Sequence, residues 1–164
     1  MIVVSDTTPL NYLIVLKVVD VLPRLFVDVY TASEVVRELS HERAPAAVRE
    51  WAQSPPAWLR VLTPSVRLPD TARLDPGEAD AISLAKELPA DAVLMDERRG
   101  RRVAERHGLV VIGTLTVIEL AAERNLLELP PVLEGLRRTT YRIPERFLQA
   151  ALERDAARRA GKSG

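Results

Sequence analysis

The chain has 164 residues, with 23 basic and 23 acidic side chains and no cysteine, which excludes disulfides and thiolate metal sites. A hydrophobic fraction of 47% predicts a folded domain, and the zero formal net charge argues against polyanion binding through the field of the whole molecule. No apolar run approaches the ~20 residues of a membrane span, and the N-terminus lacks the pattern of a signal peptide, so we expect a cytoplasmic protein.

Short strands and helices alternate along the chain. Apolar, β-branched runs, typical of strands buried on both faces, predict strands at residues 2–4, 27–30, 59–62, 92–95 and 110–112. Helical spacing and capping signals predict helices at residues 9–18, 20–25, 31–39, 46–53, 75–88, 98–107 and from 115 onward. This alternation predicts a three-layer α/β/α sandwich on a mostly parallel five-stranded sheet. We assign residues 1–164 to one domain, with residues 125–164 as a helical C-terminal extension.

Two of the predicted helices begin with capping signals. Thr31 and Glu34 have the spacing of a capping box, with Thr31 as the cap and Glu34 three residues later. Asp75 can cap the helix that begins at Pro76, and Glu78 then lies near the positive end of the helix dipole. Both signals therefore predict where a helix starts.

Four acids stand where strands end or helices begin, and we call them the acidic quartet: Asp6, Glu38, Glu78 and Asp96. Ligands of open parallel sheets bind at the carboxyl ends of the strands. Carboxylate oxygens suit a hard cation such as Mg²⁺ or Mn²⁺, and two such ions could activate water and stabilise a leaving oxygen in phosphodiester cleavage. Because four acids in a small space repel one another, the pattern predicts a divalent metal site with these acids as catalytic residues.

Each member of the acidic quartet also has a purely structural interpretation. Asp6 and Asp96 could each cap the helix that follows. Glu78 could be only the third residue of a capping box. Glu38 could be a solvated residue on a helix surface. The residues taken one at a time leave these alternatives open.

Two nearby acids compete with members of the quartet. Glu34 shares a helix face with Glu38, but it is already explained as the capping partner of Thr31, so we choose Glu38. Glu78 falls in a row of apolar residues that should face the sheet. Asp80 falls in a row of polar residues that should face water, so we rank it below Glu78.

Further polar residues flank the quartet. The hydroxyls of Thr7 and Thr8 could support a metal ligand or its water, with helix capping as the alternative. Asp80 and Glu97 are supporting candidates. A basic helix follows Asp96, and it could bind phosphates or simply form a solvated face. Its three proposed RNA-binding residues are Arg98, Arg101 and Arg102.

Five segments, in this order, resemble the PIN-domain family. They are residues 4–10 (VSDTTPL), 38–39 (EL), 74–82 (LDPGEADAI), 94–104 (LMDERRGRRVA) and 111–114 (VIGT). The likeness extends over residues 2 to about 120 and is greatest to the VapC-like branch of prokaryotic PIN proteins. The Gly77-Glu78 pair and the segment from Asp96 to Arg101 carry the likeness to that branch.

The resemblance implies an α/β/α sandwich with strand order 3-2-1-4-5 and a Mg²⁺- or Mn²⁺-dependent ribonuclease, often the toxin of a toxin–antitoxin pair. It places the acidic quartet at the metal-holding positions, where water attacks the RNA phosphodiester and the product keeps a 5′-phosphate. It also implies a homodimer and a small antitoxin protein as partner. Glu97 departs from the pattern, because many relatives have a second Asp at that position.

Other protein classes fit the first strand less well. A haloacid-dehalogenase-type phosphatase needs a second Asp two residues after the first, where this chain has Thr8. A response-regulator receiver needs an acidic pair after the first strand, which Ser5, Asp6 and Thr7 do not provide. Two alternatives stay open, a PIN-like module that binds RNA or protein without cleavage and a DNA-directed nuclease with the same site.

Overall fold

The computed structural model describes residues 1–162 of the chain. Contacts divide the chain into two compact units, Met1–Thr114 and Leu115–Gly164. The last two residues of the predicted C-terminal extension, 163–164, lie outside the described residues. The assignment of the whole chain to one domain stays a prediction.

A five-stranded sheet forms the centre of the first unit. Its strands are β1 (Ile2–Ser5), β2 (Asp28–Ala32), β3 (Leu59–Leu62), β4 (Ala92–Leu94) and β5 (Val110–Ile112). All neighbouring strands are parallel and their order is β3-β2-β1-β4-β5, which confirms the predicted order. β1 is the central strand, so the residue that follows it lies in the middle of the sheet's carboxyl edge.

Six α-helices belong to the described part of this unit. They are α1 (Thr7–Val15), α2 (Leu22–Leu25), α3 (Ser33–Leu39), α4 (Ala46–Gln53), α5 (Pro76–Glu87) and α6 (Arg98–Arg106). Helix α5 packs on α3 and also contacts β1, β2 and β4, while α6 packs beside β5. With the helices set against the sheet in this way, the fold is the predicted PIN-like α/β sandwich.

The capping box predicted at Thr31 is wrong. Helix α3 begins at Ser33, and Ala32 occupies its N-cap position. Thr31 instead belongs to β2, where it pairs with Ser5 of β1, and its hydroxyl donates to the Ser5 carbonyl at 2.7 Å. Sheet pairing therefore overrides the local capping signal, because the hydroxyl is buried between strands. Glu34 loses its assigned role and pairs with Arg37.

The second unit is helical. Its helices are α7 (Thr114–Glu123), whose first residue still belongs to the first unit, α8 (Leu129–Arg137) and α9 (Glu145–Lys162). Arg154 of α9 donates two hydrogen bonds to Glu119 of α7, at 2.9 and 3.0 Å. Arg137 of α8 forms an ion pair with Glu145 of α9. Within residues 1–162, no helix has both the length and the apolar character needed to cross a membrane.

Candidate functional site

Asp6 lies at the carboxyl end of the central strand. Its backbone N–H donates to the Leu94 carbonyl at 2.9 Å, which continues the β1–β4 pairing by one residue. Only 2% of the residue is exposed, and no donor among the described residues reaches Oδ1. Asp6 occupies the N-cap position of α1, yet its side chain makes no capping hydrogen bond within the described chain. The capping interpretation therefore does not explain this buried carboxylate.

The surroundings of Asp6 raise its pKa to about 8, from an ordinary value of 3.8. Burial is the largest cause, because it removes water from the charged form, and the backbone N–H of Thr7 partly offsets it. Three further carboxylates, those of Glu78, Glu38 and Asp96, also raise the pKa. The structure thus brings Glu38, Glu78 and Asp96 close enough to Asp6 for their charges to act on it, as the sequence predicts.

Glu38 is held by two donors from different elements. The Gly77 backbone N–H at the start of α5 donates to Oε1 at 2.9 Å, and the Thr7 hydroxyl donates to Oε2. The residue is partly buried, so the interpretation as a solvated helix residue is wrong. These contacts distinguish Glu38 from Glu34, which pairs with Arg37 and takes no part in a capping box. The choice of Glu38 as a metal-holding residue stays a prediction.

Glu78 combines a structural contact with membership of the acidic quartet. It is the third residue of α5, and its Oε2 accepts a long hydrogen bond of 3.3 Å from the Asp75 backbone N–H. Burial raises the pKa of Glu78, and the negative charges of Asp75, Glu97 and Glu38 raise it further against that hydrogen bond. Only 7% of the residue is exposed. The two interpretations of Glu78 are therefore compatible.

Asp96 is fixed by Thr114, the last residue of the first unit. Its Oδ1 accepts the Thr114 backbone N–H at 2.9 Å, and its Oδ2 accepts the Thr114 hydroxyl at 2.6 Å. The N-cap position of α6 belongs to Glu97, so Asp96 is not the cap of the helix that follows it. The sequence places a Gly-Thr pair after β5 but does not predict this contact. The sequence signal that could have indicated it is that Thr114 follows the end of β5 and Asp96 follows the end of β4, so both lie at the carboxyl edge of the same sheet.

The water-facing position predicted for Asp80 is wrong. The residue is 8% exposed, and Arg67 donates to its Oδ1 at 2.8 Å. The same side of α5 accepts two more contacts from this loop, the Leu68 N–H on Ser83 and the Ser65 N–H on Glu87. The loop after β3 therefore covers this side of the helix, and Arg67 neutralises Asp80 outside the group of acids around Asp6.

The other predicted supporting residues lie beside the quartet. Thr7 holds Glu38 through its hydroxyl. Thr8 lies in the first turn of α1. Glu97 is exposed at the N-cap position of α6, and its charge contributes to the raised pKa of Glu78. Of these residues, Thr7 makes the direct contact with a member of the quartet.

The basic residues of α6 line an open depression next to the acids. Its walls are Asp96, Arg98, Arg101, Arg102 and Glu105. Arg98 and Arg102 are exposed and Arg101 is half-buried, so their guanidinium groups can meet a ligand in solution. The three arginines proposed from the sequence therefore share one surface with the Asp96 carboxylate.

A family model, DUF3368, which is described as a PIN domain, matches residues 2–156. The chain belongs to the PIN-domain family. The match confirms the family predicted from the five segments and includes the whole acidic quartet. PIN domains are typically metal-dependent nucleases. Neither the curated proteins nor the solved structures gave a match to the chain.

The donor set of this PIN domain fits the divalent ions that PIN domains generally use. All candidate ligands are carboxylate oxygens, as hard cations prefer, and the buried Oδ1 of Asp6 accepts no hydrogen bond from the described residues. The described residues contain no group of three acidic or histidine side chains already arranged to hold a metal ion.

Proposed function

We propose that this PIN domain is a Mg²⁺- or Mn²⁺-dependent endoribonuclease, with the acidic quartet as its metal-holding and catalytic residues. The observation that carries the proposal is the Asp6 carboxylate, buried without a donor on Oδ1 and surrounded by the other three acids. A buried polar atom without a partner is costly, and a cation would satisfy it while relieving the repulsion among the acids.

Different residues of the chain orient the acids and bind the substrate in the proposed reaction. Thr7 and the Gly77 N–H orient Glu38, and both donors of Thr114 orient Asp96. A bound divalent ion supplies Lewis-acid activation of water and neutralises charge on the leaving oxygen. The arginine-lined depression next to Asp96 binds the phosphates that flank the cleaved bond.

RNA is the proposed substrate because the residue pattern resembles the VapC-like branch. The arginine-lined depression supports phosphate binding, and phosphates are common to RNA and DNA. Recognition of the RNA 2′-hydroxyl does not enter this argument, so a DNA-directed nuclease would use the same site chemistry. A module that binds without cleavage would keep the same acids and arginines. One cleavage experiment separates these functions.

The experiment incubates the purified protein with single-stranded RNA and with DNA of the same sequence, in Mn²⁺, in Mg²⁺ and in EDTA. We expect cleavage of RNA alone, only with a divalent ion, and its loss in Asp6→Asn. Glu42→Gln serves as the matched control, because Glu42 is an exposed acid outside the quartet. Cleavage of DNA instead of RNA would show that the protein is a DNA-directed nuclease and would contradict RNA as its substrate. RNA binding without cleavage under any of these conditions would favour the inactive module.

We also propose that the protein is the toxin of a toxin–antitoxin pair, acts as a homodimer and is blocked by a small antitoxin. The likeness to the VapC-like branch supports this proposal. The test is the neighbouring reading frame. A short upstream gene whose product binds the purified protein and stops RNA cleavage would support it, and a gene neighbourhood without such a product would contradict it.

A further inference from the structure

Gly77 lies directly against the Glu38 carboxylate. A Cβ atom at position 77 would stand 2.5 Å from Oε2, 2.7 Å from Oε1 and 2.8 Å from Cδ of Glu38, closer than a Cβ atom approaches other atoms in proteins. Gly77 is the second residue of α5. The Glu38 carboxylate therefore occupies the place that a side chain at position 77 would take.

A second glycine stands in a similar relation to Asp96. A Cβ atom at Gly113 would lie 3.2 Å from Asp96 Oδ1 and 3.5 Å from an Arg101 guanidinium nitrogen. This approach is tight but smaller than the overlap at Gly77. By contrast, a Cβ atom at Gly161 of α9 would meet open space among the described residues. A Cβ atom at Gly100 would also come close to another side chain, at 2.6 Å from Sδ of Met95. Close approach is therefore not confined to the quartet, but at Gly77 and Gly113 the crowded group is a quartet carboxylate.

We infer that Gly77 is a positioning residue for Glu38, because its missing side chain leaves the space in which the carboxylate accepts the Gly77 N–H and the Thr7 hydroxyl. Gly113 leaves space for Asp96 in the same way, with a smaller effect. The consequence for metal binding rests on the proposed function. The consequence for the Glu38 side chain does not, since the overlap is between atoms of the chain itself.

The overlapping atoms belong to the far end of a flexible side chain, so an added methyl group moves that end and leaves the fold intact. In Gly77→Ala we expect Glu38 to leave both donors while thermal unfolding stays close to that of the wild type. Loss of a partner that orients a metal ligand typically weakens binding by about 10- to 100-fold, and we expect Mn²⁺ affinity to fall within this range. Gly113→Ala should weaken it less.

The test uses the full chain and two readouts. The first is the side-chain carboxyl carbon resonance of Glu38 in the metal-free protein, measured by NMR in the wild type, Gly77→Ala and the control Gly161→Ala. A shift in Gly77→Ala and none in Gly161→Ala is the expected result. An unchanged Glu38 resonance in folded Gly77→Ala overturns the inference.

The second readout is Mn²⁺ affinity by calorimetry, in a double-mutant cycle with Glu38→Ala. If Gly77 acts through Glu38, Gly77→Ala weakens Mn²⁺ binding in the wild type and adds nothing in the Glu38→Ala background. An equal loss in both backgrounds assigns Gly77 a general structural role and overturns the inference. If the wild type binds no Mn²⁺, the proposed function fails, and the Glu38 resonance alone decides the role of Gly77.

Discussion

Thr114 donates both of its hydrogen bonds to one carboxylate, with the backbone N–H on Asp96 Oδ1 at 2.9 Å and the hydroxyl on Oδ2 at 2.6 Å. Two donors from one residue fix both the position and the plane of the carboxylate. The contact joins the ends of β4 and β5, which are neighbours in the sheet. Asp96 is therefore oriented by the fold before any ligand arrives.

Thr114→Val removes the hydroxyl bond and keeps both the N–H bond and the side-chain shape. We expect Mn²⁺ affinity and RNA cleavage to fall by about 10- to 100-fold, because Asp96 loses a partner that orients it. The free energy of unfolding should fall by only about 1 kcal/mol. Calorimetry and a cleavage assay measure the first effect, and urea unfolding measures the second.

Thr116→Val is the matched control, since Thr116 is an exposed residue of the same helix. It should leave Mn²⁺ affinity and cleavage unchanged. Equal Mn²⁺ affinities in the two variants would contradict the orienting role of Thr114.

Asp6→Asn should change how the stability of the metal-free protein depends on pH. Burial raises the pKa of Asp6 to about 8, so the folded protein keeps a proton that the unfolded chain releases near 3.8. The stabilisation from this group is fully present below the unfolded pKa and is lost as the pH rises through the folded pKa. The variant stays neutral throughout, so we expect it to gain stability over the wild type as the pH rises from about 4 to about 8.

Urea unfolding in EDTA across this pH range, on both proteins, measures the difference directly. Other titrating groups are shared by the two proteins and largely cancel in the difference. Glu42→Gln, at an exposed site, should unfold in parallel with the wild type at every pH. A pH-independent difference between Asp6→Asn and the wild type would show that Asp6 is already ionised in the folded protein.

Arg101→Ala should weaken RNA binding and reduce its dependence on salt. Each phosphate contact with single-stranded nucleic acid contributes about −0.7 to the slope of log affinity against log salt, because it releases counterions. Arg101 lines the depression beside Asp96, so its loss should make the slope shallower by about that amount. Fluorescence anisotropy with labelled RNA at several salt concentrations measures the slope.

Arg99→Ala is the control, because Arg99 is an exposed arginine of the same helix that does not line the depression. Its slope should remain that of the wild type. If both variants change the slope equally, the helix attracts RNA through its overall charge and the depression has no special role.

The fold could be predicted because its strands and most helices carry strong local patterns. Strand β3 and helix α4 have the predicted bounds, and α5 begins at the predicted Pro76. The error at Thr31 arose because a capping signal and a buried strand position share the same residue. Sequence spacing cannot tell whether the Thr31 hydroxyl accepts from the N–H groups of a helix or donates to the Ser5 carbonyl.

The site was predictable only in part, for a related reason. The acidic quartet follows from strand ends and parallel topology, which bring the ends of β1 and β4 together. The contacts that orient the acids depend on residues without an obvious chemical role, such as Gly77, and on a loop conformation. The burial of Asp80 depends on such a loop conformation, because the sequence pattern of α5 does not predict where the loop after β3 packs.

Arg67→Met tests how much the contact between that loop and α5 contributes to the free energy of unfolding. The Asp80 side chain is 11% exposed and that of Arg67 is 48% exposed, so the substitution leaves a mostly buried carboxylate without its charged partner. We expect a loss of about 1–3 kcal/mol in the free energy of unfolding, towards the lower end because the half-exposed Arg67 is screened by water. Urea unfolding at neutral pH measures it.

Asp80→Asn in the Arg67→Met background should recover part of the loss, because the buried group is then neutral. Arg37→Met is the control, since Arg37 is 77% exposed in its pair with Glu34, and it should change stability less than Arg67→Met does. Equal effects of the two arginine substitutions, or no recovery in the double variant, would mean that the Arg67–Asp80 pair does not hold the loop against α5.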